Sequence, residues 1–266
     1  MFNQRTDPQY QRIRRLVQDG ELGELRRVSW IVTNWFRSQA YYNSGGWRAT
    51  WRGEGGGVLL NQCPHNLDLL QWICGMPVRV RGFCALGKRH QIEVEDEVTA
   101  YMEYADGATG VFITSTGEAP GANRLEICGD RGRLVLENNE LRFTRNEMSA
   151  DAFLNTSKEL FASPPVWHVT FPHAGGNGTQ HNGILRNFTE VILDDAPLLA
   201  PAVEGIHSVE LANAMLYSSM TGETVELPFD GAAYEVRLKE LIADSTFQKT
   251  TAASPVAFDL AKSQNK

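Results

Sequence analysis

The segment GEGGGVLLNQCPHNLDLLQWICG, residues 53 to 75, constrains the fold most, because a triple glycine precedes an apolar run with polar residues at helical spacing. Four of those side chains fall at i, i+4, i+7 and i+11: Asn61, His65, Asp68 and Trp72. The 3.6-residue period predicts one buried helix with a single polar face. An unpartnered buried polar group costs roughly 1–3 kcal/mol, so we expect these side chains to bond one another or a ligand.

His65 is the candidate proton carrier of this polar face. Asp68, one turn later, is expected to accept a hydrogen bond from one imidazole nitrogen and leave the other for a substrate proton. Asn61 can orient a hydroxyl group, but an amide cannot take up its proton. The alternative is that His65 is a core histidine satisfied inside the protein.

The preceding segment, RSQAYYNSGGWRATWRGE, is predicted to be a loop rich in tyrosine, tryptophan and arginine. Such residues offer apolar faces for sugar rings and hydrogen-bond donors for hydroxyl groups. Trp47, Trp51 and Arg48 are therefore candidate substrate contacts. The alternative is that the two tryptophans plug the core and the arginine lies in solvent.

A second glycine-rich loop, FPHAGGNGTQHNG, spans residues 171 to 183 before a predicted helix. Glycine permits close backbone approach to a ligand, and the first N–H groups of a helix lack intrahelical partners. Asn177 and His181 are therefore candidate contacts to substrate hydroxyls. A loop that merely caps the helix is the alternative.

The remaining pattern indicates an α+β fold. Short alternating segments separated by turn dipeptides predict an antiparallel sheet over residues 78 to 145, together with a strand over 24 to 36. Helices are predicted over about 179–194, 203–221 and 230–247. The result is a large, mostly antiparallel sheet with helices on one face.

Composition excludes several classes of function. The chain has 266 residues and a net charge of −7, and it lacks the lysine and arginine clusters that track nucleic acid. It lacks an apolar run long enough to span a membrane, and its four cysteines form no CxxC pair, so we predict no metal and a cytoplasmic location.

Two long runs carry a family resemblance: WRATWRGEGGGVLLNQCPHNLDLLQWICGMP (47–77) and IEVEDEVTAYMEYADGATGVFITSTGEAPGANRLEICGDRGRLVLE (92–137). They resemble the Gfo/Idh/MocA oxidoreductases, which use NAD or NADP to oxidise or reduce sugars and cyclic polyols. The resemblance implies that His65 handles the hydroxyl proton and that Asn61 stands where the family has aspartate. It also implies that Gly55, Gly56 and Gly57 pack near the nicotinamide ring.

The chain departs from that family in lacking the GxGxxG loop and the Glu-Lys-Pro motif. Residues 1–23, expected to begin with a strand fragment, are interpreted as a remnant of the Rossmann dinucleotide-binding domain. Residues 24–250 are then the substrate-binding and oligomerisation domain, and 251–266 a C-terminal tail. We expect NAD or NADP not to be retained by this chain alone.

Three functions stay open on this sequence. The first is a sugar or cyclitol dehydrogenase, the second a truncated, non-catalytic carbohydrate-binding or assembly module, and the third a glycosidase-type variant that uses NAD. The resemblance implies that the outer sheet face meets a second subunit. Alternating apolar residues on that face, such as Val98, Ala100, Met102, Val111 and Ile113, predict a homo-oligomer.

Overall fold

The computed structural model describes residues 1–172 and 176–249, and within them nine strands form a single sheet. They are β1 (Leu25–Val32), β2 (Arg79–Leu86), β3 (Glu95–Glu103), β4 (Thr109–Ser115), β5 (Asn123–Gly129), β6 (Gly132–Glu137), β7 (Glu140–Asn146), β8 (Val166–Thr170) and β9 (Val225–Glu226). Their order is β8-β7-β6-β5-β1-β4-β3-β2-β9. Only β1 and β4 are parallel among these described strands, so the predicted mostly antiparallel sheet is confirmed.

Eight α-helices accompany the sheet in the described residues. They are α1 (Pro8–Gln18), α2 (Gln39–Asn43), α3 (Val58–Asn61), α4 (Pro64–Cys74), α5 (Ala150–Thr156), α6 (Gln180–Asp194), α7 (Gly205–Thr221) and α8 (Gly231–Asp244). Two 3-10 helices cover Asn3–Thr6 and Ala202–Glu204. The three predicted C-terminal helices are confirmed as α6, α7 and α8, whereas α5 and β8 had no sequence signal strong enough to predict them.

The alternation along β3 shows which face of the sheet is covered. Val98, Ala100 and Met102 are fully buried on the helix side, whereas Thr99 and Tyr101 between them are exposed. The expectation that the three apolar side chains lie on an open face is therefore wrong: they form the core of this chain. On the neighbouring β4, Val111 and Ile113 do lie on the outer face, half-buried.

One glycine sets the distance between the sheet and α7. A Cβ atom on Gly82 of β2 would lie 2.2 Å from the backbone oxygen of Met215, so only glycine admits α7 this close.

The single helix predicted within residues 53 to 75 is wrong. It is broken between Asn61 and Pro64, because proline lacks the N–H that a continuous helix needs and instead begins α4.

The beginning of the chain also differs from expectation. Asn3–Thr6 form a 3-10 helix rather than a strand fragment. Asp7 caps α1, because its carboxylate accepts from the backbone N–H of Gln9 at 2.8 Å. Within the segment expected to be a loop, Gln39–Asn43 form the short helix α2. The predicted tail, 251–266, lies outside the described residues.

A search for membrane spans covered the described ranges 1–172 and 176–249. None of the helices there is both long enough and apolar enough to cross a bilayer.

Candidate active site

The principal cavity lies where the N-terminal 3-10 helix, α2, α4 and the turns of the sheet meet, and it has a volume of about 810 Å³. Side-chain amides dominate its wall. The amide residues are Asn3, Gln4, Asn34, Asn61, Gln62, Asn66, Asn123, Asn138, Asn139, Asn177 and Gln180. His65 and Arg48 from the predicted site also line it, with Tyr41, Trp35 and Arg37. Such a wall suits a polar ligand that both donates and accepts hydrogen bonds.

Unsatisfied polar atoms concentrate in this wall. Five buried atoms that lack a hydrogen-bond partner among the described residues belong to side chains of the cavity: Asn3 Oδ1, Trp35 Nε1, Gln62 Oε1, His65 Nδ1 and Asn66 Oδ1. Each such atom costs roughly 1–3 kcal/mol unless a ligand or water satisfies it. Three of the five are amide oxygens, which accept hydrogen bonds from hydroxyl groups. Their clustering makes this cavity the candidate ligand site.

His65 lies in the first turn of α4 and contacts Phe2 edge to face, with ring centroids 6.1 Å apart. Burial lowers the pKa of His65, the positive charges of the N-terminal ammonium and His181 lower it further, and Asp68 opposes them. The imidazole is therefore neutral at pH 7 and able to accept a proton.

Asp68 has a different partner from the one expected. Its carboxylate accepts two hydrogen bonds from the guanidinium of Arg5, Nε to Oδ2 at 2.9 Å and Nη2 to Oδ1 at 2.5 Å, and a third from Gln71 at 3.1 Å. Arg5 and Asp68 are both buried. Asp68 therefore ties α4 to the N-terminal segment and forms no hydrogen bond with His65 in the described residues.

A hydrogen-bonded cluster surrounds the phenol of Tyr41. Arg48 donates to Tyr41 Oη at 2.7 Å and Gln62 donates to it at 3.1 Å, while the phenol donates to Asn61 Oδ1 at 3.0 Å. The Arg48 guanidinium also stacks on the rings of Tyr41 and Trp47, at 4.4 and 4.5 Å from their centroids. Aromatic and phenolic contacts thus place Arg48 in the cavity wall.

The two tryptophans have different environments. Trp47 is half exposed and touches the site only through its stacked Arg48. Trp51 is buried in the core and does not line the cavity. A direct substrate contact for Trp51 is therefore wrong, since the side chain plugs the domain.

The loop before α6 contributes one of its two predicted residues. Asn177 lines the cavity, and a Cβ on the neighbouring Gly178 would lie 2.2 Å from the backbone oxygen of Thr6, so the loop packs against the N-terminal 3-10 helix. His181 is exposed in the first turn of α6 and does not line the cavity.

The triple glycine has a steric explanation. A Cβ on Gly57 would lie 2.0 Å from the backbone oxygen of Glu95, and one on Gly56 would lie 2.9 Å from Leu60. These glycines bring α3 against β3 and the C-terminal helices, and they do not line the cavity. Gly55, Gly56 and Gly57 therefore do not form the cradle that a nicotinamide dinucleotide needs, in which a glycine turn meets the N-terminus of a long helix.

Glu95 is a buried carboxylate at the start of β3 that sequence patterns did not single out. It accepts hydrogen bonds from the backbone N–H groups of Gly57 at 2.8 Å and Leu59 at 3.0 Å, and so caps α3. Burial outweighs these bonds and raises its pKa to about 7.

The pH dependence of stability should report this carboxyl group. Between its ordinary pKa of 4.5 and about 7, the folded protein holds a proton that the unfolded chain has released. We expect the free energy of unfolding to fall by roughly 2–4 kcal/mol as pH rises through that interval, and to level off above it. Urea unfolding between pH 4.5 and 8.5 measures this, and Glu95→Gln should remove the fall that Glu95 causes. Parallel curves for the two proteins would contradict the assignment.

Several site residues carried no separate sequence signal. Arg5 lies outside any motif, and Glu54 and Gln62 lie within the glycine-rich segment without being singled out there, so only their contacts assign them a role. Tyr41 was part of an aromatic segment but was not distinguished from its neighbours. No cluster of three or more metal-ligating side chains occurs in the described part of the chain.

Comparisons with known proteins place this geometry in a family. Residues 10–135 match the family model of the Gfo/Idh/MocA C-terminal domain. An uncharacterised oxidoreductase of Synechocystis sp. is 28% identical over 155 residues, which cover 53% of this chain and 41% of that protein.

Solved structures share the fold over most of the chain. The WlbA dehydrogenase of Chromobacterium violaceum, in complex with NADH and UDP-GlcNAcA, is 27% identical with a TM-score of 0.71. The match covers 86% of this chain and 62% of that one. The aldose-aldose oxidoreductase of Caulobacter crescentus, 20% identical, matches with a TM-score of 0.66 and covers 85% and 62%.

The chain thus spans somewhat less than two thirds of these solved structures. The family model, the identity to one neighbour and the shared fold agree with the resemblance seen in the sequence. Residues 10–135 of this chain thus carry a C-terminal domain of the Gfo/Idh/MocA oxidoreductase family.

Proposed function

We propose that this domain binds the substrate of a nicotinamide-dependent oxidoreductase, and that the substrate is a carbohydrate with a secondary alcohol at the reacting carbon. The observation that carries the proposal is the group of unsatisfied atoms in the cavity wall. Amide oxygens of Asn3, Gln62 and Asn66 need donors, and the hydroxyl groups of a sugar or polyol supply them.

His65 is the proposed proton carrier. Its neutral imidazole takes the proton of the reacting hydroxyl during oxidation and returns it during reduction. Arg48, Tyr41 and Asn177 hold the other oxygens of the substrate. In this proposal Gly55, Gly56 and Gly57 do not contact the nicotinamide, since they are packed against β3 and Leu60.

Ligand titration tests the proposal. We expect the 266-residue chain to bind UDP-GlcNAcA, the ligand of one structural neighbour, in isothermal titration without cofactor, and to bind NADH weakly or not at all by fluorescence. Asn66→Ala should weaken sugar binding about tenfold, because it removes one acceptor, whereas Asn155→Ala on the exposed α5 should not.

Two results would contradict it. Failure to bind UDP-GlcNAcA, levoglucosan, glucose and inositol would exclude a carbohydrate site. A low-micromolar dissociation constant for NADH would show that the cofactor site lies within these residues.

A second candidate is a carbohydrate-binding or assembly module without catalysis. It is favoured by the lack of a GxGxxG loop and a Glu-Lys-Pro motif in these 266 residues. Self-association fits both candidates, since the outer sheet face exposes Phe83 and Tyr101 beside the half-buried Val111 and Ile113.

A further inference from the structure

The side-chain amide of Asn61 is held from two sides. Its nitrogen donates to Glu54 Oε1, while its oxygen accepts from Tyr41 at 3.0 Å and from Gln62 Nε2 at 2.6 Å. A carboxylate only accepts hydrogen bonds, so the atom that faces Glu54 must be the NH₂ group. The oxygen of Asn61 is therefore directed towards Tyr41 and Gln62, two side chains of the cavity wall.

Glu54 is itself anchored by its second oxygen. Oε2 accepts from the backbone N–H of Ala49 at 2.6 Å. Ala49 is fully buried and has a φ of 53°, a left-handed conformation that few residues other than glycine adopt. The carboxylate thus links a constrained turn to the amide of Asn61, and both of its oxygens are engaged.

We propose that Glu54 is a positioning residue of the site: it acts through Asn61 by fixing which end of that amide faces the cavity. Glu54 does not line the cavity, so it acts on a ligand only through Asn61. The inference rests on the carbohydrate site proposed above. Positions 54 and 61 then need one carboxylate and one amide between them. The two groups can exchange positions, but neither can be replaced alone.

Three variants separate the pair from its members. In Glu54→Gln, the oxygen of the new amide still accepts from the backbone N–H of Ala49, so its NH₂ group faces the NH₂ group of Asn61. Two donors cannot bond each other, and the side-chain amide of Asn61 must therefore rotate by half a turn. In Asn61→Asp, two carboxylates oppose each other, and one of them must take up a proton. In the double variant Glu54→Gln/Asn61→Asp, the amide now at position 54 donates to the carboxylate now at position 61, whose other oxygen still accepts from Tyr41 and Gln62.

The test is a double-mutant cycle on the full chain at pH 8, measured by urea unfolding and by titration with UDP-GlcNAcA. We expect each single variant to bind UDP-GlcNAcA about tenfold more weakly, and the double variant to return to within about threefold of the parent. The urea concentration at the midpoint of unfolding should fall in both single variants and return towards the parent value in the double variant. Asn61→Asp alone should regain affinity as pH falls to about 5.5, because its carboxylates then share a proton.

Additive losses in the double variant, in either measurement, would overturn the proposal, as would parent-like binding by Asn61→Asp alone at pH 8. If the parent does not bind UDP-GlcNAcA, the proposed carbohydrate function is in doubt. In that case the urea-unfolding cycle still tests whether Glu54 and Asn61 are coupled. The NMR resonances of the Asn61 side-chain amide test it as well, since Glu54→Gln should shift them.

Discussion

Replacing His65 by alanine should lower turnover about 10²- to 10⁴-fold, the usual contribution of a general acid or base. We expect the affinity of this variant for substrate to change much less than its turnover, because the amides of the cavity wall remain. The measurement is steady-state turnover of a sugar panel after a family dinucleotide-binding domain has been fused ahead of residue 1. The same assay on the parent should show a rate that falls as pH drops and His65 becomes protonated, since burial keeps its pKa below the ordinary value.

The control for this variant is His181→Ala. His181 is exposed and lies outside the cavity wall, so its removal should leave turnover within about twofold of the parent. Full turnover by His65→Ala would show that this histidine is structural. An equal loss in both variants would indicate a general effect on the fold rather than a lost proton carrier.

Arg5→Ala should destabilise the protein by about 3–5 kcal/mol, because it leaves the carboxylate of Asp68 buried without a partner charge. Arg5 also donates to Glu204 at 2.5 Å and to the backbone oxygen of Leu199 at 3.1 Å, so its loss separates three segments. A domain stability of roughly 5–15 kcal/mol makes this a large effect. Urea unfolding at pH 7 measures it.

Arg26→Ala is the matched control. Arg26 is 42% exposed and pairs with the exposed Asp151 and the buried Asp130, and an ion pair of such an exposed arginine contributes about 1 kcal/mol or less. Arg5→Ala/Asp68→Ala should lose less than the sum of the single variants, since it leaves no buried lone charge. Equal losses for Arg5→Ala and Arg26→Ala would contradict the buried ion pair.

The arrangement around Asp68 also changes the interpretation of the helix motif. A carboxylate one turn after a histidine, as in His65 and Asp68, usually indicates a hydrogen-bonded histidine and acid pair. Here Asp68 instead binds Arg5, 63 positions earlier in the chain, and so anchors α4. His65 keeps an unpartnered, buried Nδ1 atom among the described residues. Its proposed chemistry therefore depends on burial and on the ligand rather than on an orienting carboxylate.

Local patterns determined the elements of this fold. Alternation and turn dipeptides predicted strands β2 to β7, and the helical period predicted α6, α7 and α8, because both depend on neighbours in the chain. His65 and Arg48, singled out from separate sequence segments, line one cavity. Pro64 divides the predicted helix into α3 and α4. The effect of proline on a helix is local, but the apolar pattern alone had indicated one continuous helix.

Contacts between distant segments were decided only by the tertiary structure. Val98 and Val111 have similar alternating patterns, but packing of the helices buries one and leaves the other on the outer face. Arg5 and Asp68 meet, and Glu54 turns the amide of Asn61, because folding brings their segments within hydrogen-bonding reach. Periodicity assigns a residue to a face of its own element, whereas the partner that satisfies a buried polar group comes from another element.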